Sequence, residues 1–168
     1  MAILISPMIV PLIITAAGMF FFYARINLVY TFTGVILAHV ALATPFVVIT
    51  VTATLVGFDM NMVKAAQSLG AKPMRTFFKV IMPLILPGII SGALFAFITS
   101  FDEVVIVMFM ASIDQLTIPK QMWAGIRQEI SPVILCMATC LVLLSIFLLT
   151  TVELLRRRSE KLRGIKAR

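Results

Sequence analysis

The chain has 168 residues, of which 61% are apolar and only 12% are charged, and its net charge is +7. Soluble domains hold a far more even mix of polar and apolar residues, so this composition indicates a membrane protein and excludes a soluble catalytic domain of any size. The basic charge is explained by membrane topology and by attraction to anionic lipid, and it does not indicate binding to nucleic acid.

Four apolar runs are each long enough to cross about 30 Å of hydrocarbon at a helical rise of about 1.5 Å per residue. They cover residues 2–23, 32–56, 83–111 and 132–155. The sequence therefore predicts an all-α fold, a polytopic transmembrane helix bundle of about four spans over residues 1–155. The first run lacks the basic region of a secretory signal, and its start at residue 2 suggests an N-terminally incomplete chain.

Lysine and arginine predict the orientation, because both are enriched in cytoplasmic loops. Residues 57–82 hold four of them, and the tail at 156–168 holds seven. Both segments are therefore expected in the cytoplasm, with the C-terminus on that side. Residues 112–131 are nearly charge-balanced and are expected on the outer face.

The loop at 57–82 predicts two short helices that meet at Gly70. Asp59 can cap the first helix, and Gly70 can end it. The apolar positions of this helix share one face and are Met62, Ala66 and Leu69. Pro73 suits the first turn of a second helix, which is expected to reach about residue 80.

The same loop resembles the EAA signature of ATP-binding-cassette (ABC) importer permeases. The matching residues are Lys64-Ala65-Ala66, Gly70 and Val80-Ile81-Met82-Pro83. In that family the loop is a coupling helix that docks into a cleft on the ATP-binding subunit. Lys64 stands where the family has glutamate, a reversal of charge. The resemblance assigns coupling to the ATPase to Asp59, Lys64, Ala65, Ala66, Leu69, Gly70, Ala71 and Pro83.

The resemblance implies a non-catalytic permease subunit of a binding-protein-dependent importer in a bacterial inner membrane, which moves solute by alternating access. The sequence holds no G-x-x-x-x-G-K-[ST] motif, so ATP is expected on a separate ATPase subunit and no cofactor on this chain. No catalytic residue and no metal site are expected. The implied partners are an ATP-binding subunit dimer, a second and related permease subunit, an extracytoplasmic solute-binding protein and the lipid bilayer. Six spans are typical of the family, and the four here match its last four.

Small residues recur every fourth position along the third predicted span. They are Gly88, Gly92, Ala96 and Ser100. Such a stripe lets another helix pack at close range, either within this chain or from a second subunit.

Asp102 and Glu103 interrupt the third apolar run, roughly 28 Å beyond Pro83 by helical rise. Charges within a membrane usually face protein or a water-filled path, although an acid near the interface can simply reach water. The segment from Ser100 to Ile106 resembles that of spermidine/putrescine-type permeases, and the resemblance extends over the rest of the chain. Polyamines are polycations, so Ser100, Asp102 and Glu103 are candidates for the solute path, with a structural or gating role as the alternative.

Other polar residues in the spans predict packing rather than chemistry. His39 is expected to be hydrogen-bonded inside the bundle, with a proton relay as the less favoured alternative. Cys136 and Cys140 are expected to act as small apolar residues. Two other functions remain open for the whole chain: a permease for another small solute, or a passive channel or assembly protein whose amphipathic loop lies on the membrane surface.

Overall fold

A computed structural model describes residues 2–128 and 131–162, and within these ranges the chain is built of helices and turns without a strand. The predicted all-α class is therefore confirmed. The helices of the first half are α1 (Ala2–Ile9), α2 (Leu12–Arg25), α3 (Phe32–Val56), α4 (Asn61–Ser68) and α5 (Pro73–Thr76). Those of the second half are α6 (Met82–Phe101), α7 (Val105–Met110), α8 (Ile118–Gln128) and α9 (Pro132–Leu162).

Three helical stretches of the described residues are long and apolar enough to cross a membrane. They are Phe32–Val56, Pro73–Phe101 and Pro132–Thr151. The first predicted span, at 2–23, is different, because it is divided into α1 and α2. Pro11 adopts an extended backbone with φ −52° and ψ 132°. A residue that precedes proline is disfavoured in the helical region, and this explains the break at Val10.

The third span begins earlier than the predicted Pro83. The helix of α5 continues through a π-helical turn, Phe77–Ile81, into α6 without interruption. In this turn the Met82 amide donates to the Phe77 carbonyl, five residues back. Pro83, which has no amide hydrogen to donate, is accommodated at the start of α6 directly after the widened turn. The predicted second short helix is therefore the first part of a 29-residue helix, Pro73–Phe101.

The same span ends at Phe101 rather than at the predicted residue 111. Asp102 has φ −93° and ψ 4° and terminates α6. The short helix α7 then begins at Val105, after a turn that contains both acidic residues. The physical reason lies in the side chain of Glu103, which binds the amide of Ile106 and so begins a new helix.

The glycine stripe places α6 directly against α3. A Cβ atom added at Gly88 would overlap the Thr54 hydroxyl, and one added at Gly92 would lie 3.0 Å from the Val47 Cα. Both glycines are buried. At Gly88 and Gly92, the helix that packs at close range therefore belongs to this chain rather than to a second subunit.

The most buried part of the described chain surrounds α7. Its core cluster consists of Ala16, Ala38, Leu42, Ile106 and Met110, contributed by α2, α3 and α7. By contrast, α9 packs on α6 and α8 and leaves most of its surface exposed. It extends beyond the predicted end at residue 155 to Leu162, so the first part of the predicted basic tail, 156–168, is helical. Residues 163–168 lie outside the described residues.

Replacing Gly92 by alanine should destabilise the fold, because the new methyl group would press against the α3 backbone. Overpacking of this kind costs about 1–3 kcal/mol, which corresponds to a fall in Tm of roughly 5 °C for a chain of this size. The measurement is thermal unfolding of the purified protein in detergent. Gly18→Ala is the matched control, since a Cβ at Gly18 meets nothing within 4 Å. An equal fall in Tm in both variants would contradict the close packing of α3 and α6.

Candidate functional site

The loop between α3 and α6 is closed by a turn at Gly70. Gly70 has φ +79°, a backbone conformation that L-residues with a side chain rarely adopt. The Ala71 amide donates to the Ala66 carbonyl at 3.1 Å, and the Gly70 amide donates to the Gln67 carbonyl at 2.9 Å. These two bonds form a Schellman motif, which satisfies the last carbonyls of α4 and reverses the chain. The predicted turn therefore lies at the predicted glycine.

The helix before this turn presents an apolar surface outward. Val63 and Ala66 are half-buried, and α4 packs with them toward α5 and the π-helical turn. Leu69 is 89% exposed. Further exposed apolar side chains of the loop are Met60, Met62, Met74 and Phe78. Exposed apolar surface of this kind marks a contact with another protein or with a membrane.

The other predicted coupling residues surround this surface. The Asp59 carboxylate accepts a hydrogen bond from the Asn61 amide at 2.9 Å, so it supports the start of α4, which begins after Met60. Lys64 and Ala65 are exposed, and Ala71 is half-buried. Pro83 lies in the first turn of α6 and is half-buried. We name residues Asp59–Phe78 the docking loop.

The two acidic residues after α6 have different surroundings. Asp102 is exposed at the end of the helix. Glu103 is only 5% exposed, and its Oε1 accepts a hydrogen bond from the Ile106 amide at 2.6 Å. A carboxylate at the start of a helix satisfies a free amide and interacts favourably with the helix dipole. Glu103 therefore fits the structural alternative for this pair, whereas Asp102 remains available to a solute.

Asp102 lines a cavity of about 530 Å³ between α6, α8 and α9, which we name the Asp102 cavity. Its other walls are apolar and aromatic, with Ser145 as a polar addition from α9. The aromatic side chains that line it are Phe97, Phe101 and Trp123. An alkylammonium ion suits such a cavity, because its methylene groups pack on apolar walls while its charge meets a carboxylate and aromatic rings.

The third predicted solute-path residue, Ser100, lies on a neighbouring cavity. His39 Nδ1 and Ser100 Oγ share a hydrogen bond of 2.9 Å between α3 and α6. Both line a second cavity of about 560 Å³, which shares Phe97 and Phe101 with the first. The prediction that His39 is hydrogen-bonded inside the bundle is confirmed. Ser100, Asp102 and Glu103 thus lie close in sequence but in three different environments.

Sequence reasoning missed Lys120, which lies near the start of α8. Its ammonium donates to the Val107 carbonyl, in the middle of α7, at 3.3 Å and to the carbonyl of Ala111, the residue that follows α7, at 3.5 Å. The acceptors are backbone atoms, so no pairing of side-chain types in the sequence points to this contact. The only available signal was a lysine in the mixed segment that follows the acidic pair.

Comparison with known proteins identifies relatives that cover most of the chain. Residues 1–161 match the family model of the binding-protein-dependent transport system inner membrane component. The chain is 30% identical over 153 residues to the spermidine/putrescine transport system permease protein PotC of Haemophilus influenzae, covering 91% of this chain and 60% of that protein. It is 29% identical over 154 residues to PotC of Escherichia coli K12, covering 92% of this chain and 58% of that protein.

A third relative is the putrescine transport system permease protein PotI of Escherichia coli K12. It is 37% identical over 103 residues, which cover 61% of this chain and 37% of that protein. The chain thus spans about 60% of the length of the PotC proteins that it matches.

The two acidic residues should differ in their effect on stability. Glu103→Ala leaves the buried Ile106 amide without its acceptor, which costs about 1–3 kcal/mol and lowers the Tm in detergent. Asp102→Ala removes an exposed carboxylate and should change the Tm by about 1 °C or less, in line with surface substitutions. Glu103→Gln keeps an oxygen acceptor, so its Tm should lie between those of the other two variants. Equal Tm values for Glu103→Ala and Asp102→Ala would contradict the capping role.

Proposed function

The chain belongs to the family of binding-protein-dependent transport system inner membrane components, and on that premise we propose that it is a permease subunit of an ATP-driven ABC importer for polyamines. In this proposal a solute-binding protein delivers the solute from outside. ATP binds to a dimer of separate ATPase subunits, and a related second permease forms the other half of the path. The spans then reorient around the solute by alternating access.

The observation that carries this proposal is the docking loop. It is a helical hairpin whose turn at Gly70 has open space around the glycine, since a Cβ there would meet nothing within 4 Å. A partner surface can therefore approach the backbone of the turn closely. Leu69, directly beside it, offers an exposed apolar anchor of the type that dominates protein interfaces. Together these features support coupling through the predicted residues from Asp59 to Ala71, with Pro83 at the start of the following helix.

The orientation in this proposal follows from the basic side chains. Lys64, Lys72, Arg75 and Lys79 are exposed in and just after the docking loop. Their excess over the single acid, Asp59, is typical of a cytoplasmic segment. We place the ATPase on this side, together with the C-terminus.

The polyamine assignment is supported by the similarity to spermidine/putrescine and putrescine permeases and by the Asp102 cavity. A permease for another small solute is the alternative, and it predicts uptake that does not depend on the Asp102 carboxylate. A passive channel or an assembly protein is the second alternative. It predicts solute flux or membrane insertion without ATP. It assigns no role to the turn at Gly70 in the docking loop.

Leu69→Ser should weaken binding of the ATPase subunit, because burial of a leucine side chain contributes about 1.5–3 kcal/mol. We expect the apparent Kd of the ATPase subunit for the detergent-solubilised, tagged permease complex to rise about tenfold or more. The Kd is measured by titrating the ATPase and quantifying the amount retained on the complex. Val56→Ser is the matched control. Val56 is 83% exposed at the end of α3 and lies outside the docking loop. Equal binding of the ATPase subunit by the two variants would contradict the docking role of Leu69.

Asp102→Asn should impair polyamine uptake, because the neutral amide loses the charge-assisted contact with an ammonium group. The expected change is about a tenfold higher concentration of spermidine for half-maximal uptake in proteoliposomes loaded with ATP. Asp114→Asn removes another exposed acid of the outer segment and serves as the control. Unchanged uptake by Asp102→Asn would retire the solute contact, and uptake without ATP would retire the importer itself.

A further inference from the structure

The helix α7 is short and largely buried, so the backbone groups at its ends need hydrogen-bond partners from elsewhere in the chain. It spans only six residues, Val105–Met110, so the amides of its first turn and the carbonyls of its last turn lack a partner within the helix. Ile106, Val107 and Met110 are 0% exposed. Buried backbone groups that are left unpaired are costly. The ends of α7 must therefore be satisfied by other parts of the chain.

Three residues pair backbone groups at the ends of α7. Glu103 accepts from the Ile106 amide at the N-terminal end. At the C-terminal end the Tyr30 amide donates to the Met110 carbonyl at 2.9 Å. Lys120 donates to the Ala111 carbonyl, and also to the Val107 carbonyl, which accepts the Ala111 amide as well. An anion at the start and a cation at the end also suit the helix dipole. Lys120 is the contact that comes from α8.

We propose that Lys120 is a positioning residue for the solute: its ammonium fixes the C-terminal end of α7 and thereby fixes α8 relative to Asp102. The turn of Asp102 leads directly into α7, which is about 9 Å long. Pro119 and Trp123, on either side of Lys120 along the chain, line the Asp102 cavity. The hydrogen bonds of Lys120 thus connect two walls of that cavity, the turn that contains Asp102 and the helix α8, through the backbone of α7.

Lys120 acts through α7 and does not touch the solute in this inference. It is not among the side chains that line the Asp102 cavity. Its positive charge would also repel a polycation, so a direct contact would oppose the binding of polyamines. Loss of Lys120 should therefore weaken solute binding by misplacing the cavity walls, although it removes a like charge from the neighbourhood.

The uptake experiment rests on the proposed function and uses the complex with its ATPase, second permease and binding protein in proteoliposomes. Lys120→Met should raise the spermidine concentration for half-maximal uptake about tenfold, the scale of one lost charge-assisted hydrogen bond. Lys120→Arg keeps a cationic donor and should restore the value to within about threefold of the unsubstituted complex. Gln121→Met, at the exposed next residue, is the control.

A second measurement reports on α7 itself and needs no transport. Met110→Cys is introduced into a Cys136→Ala/Cys140→Ala background, and the rate of labelling by a membrane-permeant maleimide is followed. Lys120→Met should label about fivefold faster or more, because a helix that loses a charge-assisted end contact opens more often. If Lys120→Met does not accumulate as a monodisperse complex, Lys120→Gln takes its place, since it removes the charge and keeps a hydrogen-bond donor group.

The outcomes separate the inference from the proposed function. Unchanged half-saturation or unchanged labelling in Lys120→Met overturns the positioning role, as does failure of Lys120→Arg to restore uptake. A change in labelling that leaves uptake kinetics untouched also overturns it, because α7 would then be held for stability alone. Absence of ATP-dependent uptake in the unsubstituted complex overturns the proposed function instead.

Discussion

The pairing of the ends of α7 is the constraint on which the described fold depends. A six-residue helix at the centre of an apolar core can exist only if other segments supply its missing hydrogen bonds. Glu103 accepts from the Ile106 amide, Tyr30 donates to the Met110 carbonyl, and Lys120 donates to the Ala111 carbonyl, from three separate places in the chain. These contacts tie the turn after α6, the loop after α2 and the start of α8 to one another. The positions of α2 and α3, which pack on α7, then follow from apolar burial.

A second constraint links the docking loop to the acidic turn. The helix from Pro73 to Phe101 is continuous over 29 residues and is therefore roughly 43 Å long. One end belongs to the docking loop, and the other end leads into Asp102. Between them, Gly88 and Gly92 hold the helix so close to α3 that it has little freedom to shift sideways there. In the proposed importer, a displacement of the docking loop would therefore be transmitted as a tilt of this helix about its contact with α3. The π-helical turn is the least regular part of the helix.

Local signals explain which parts of the fold could be predicted from the sequence. The long apolar runs identify the helices, and the glycine at position 70 identifies the turn, because the required backbone conformation depends on that residue alone. The break after Phe101 was not predicted, since it depends on a side chain that competes with the helix for the Ile106 amide. The contact of His39 with Ser100 joins positions 61 residues apart, and the contact of Lys120 ends on backbone atoms. Neither leaves a pattern in the sequence that a helical or apolar period would reveal.

The surface of α9 bears on what completes the Asp102 cavity. Its exposed side is apolar, with Leu143 and Phe147 facing outward, and lipid is as good a neighbour for such side chains as protein is. The cavity differs, because it combines Ser145 and a carboxylate with its apolar walls. Hydrocarbon against Asp102 would be unfavourable, whereas a protein surface can supply a hydrogen bond or a counter-charge. In the proposed importer, the second permease is therefore better suited than lipid to cover the open side of the Asp102 cavity. The solute path is then expected to lie where the two permeases meet.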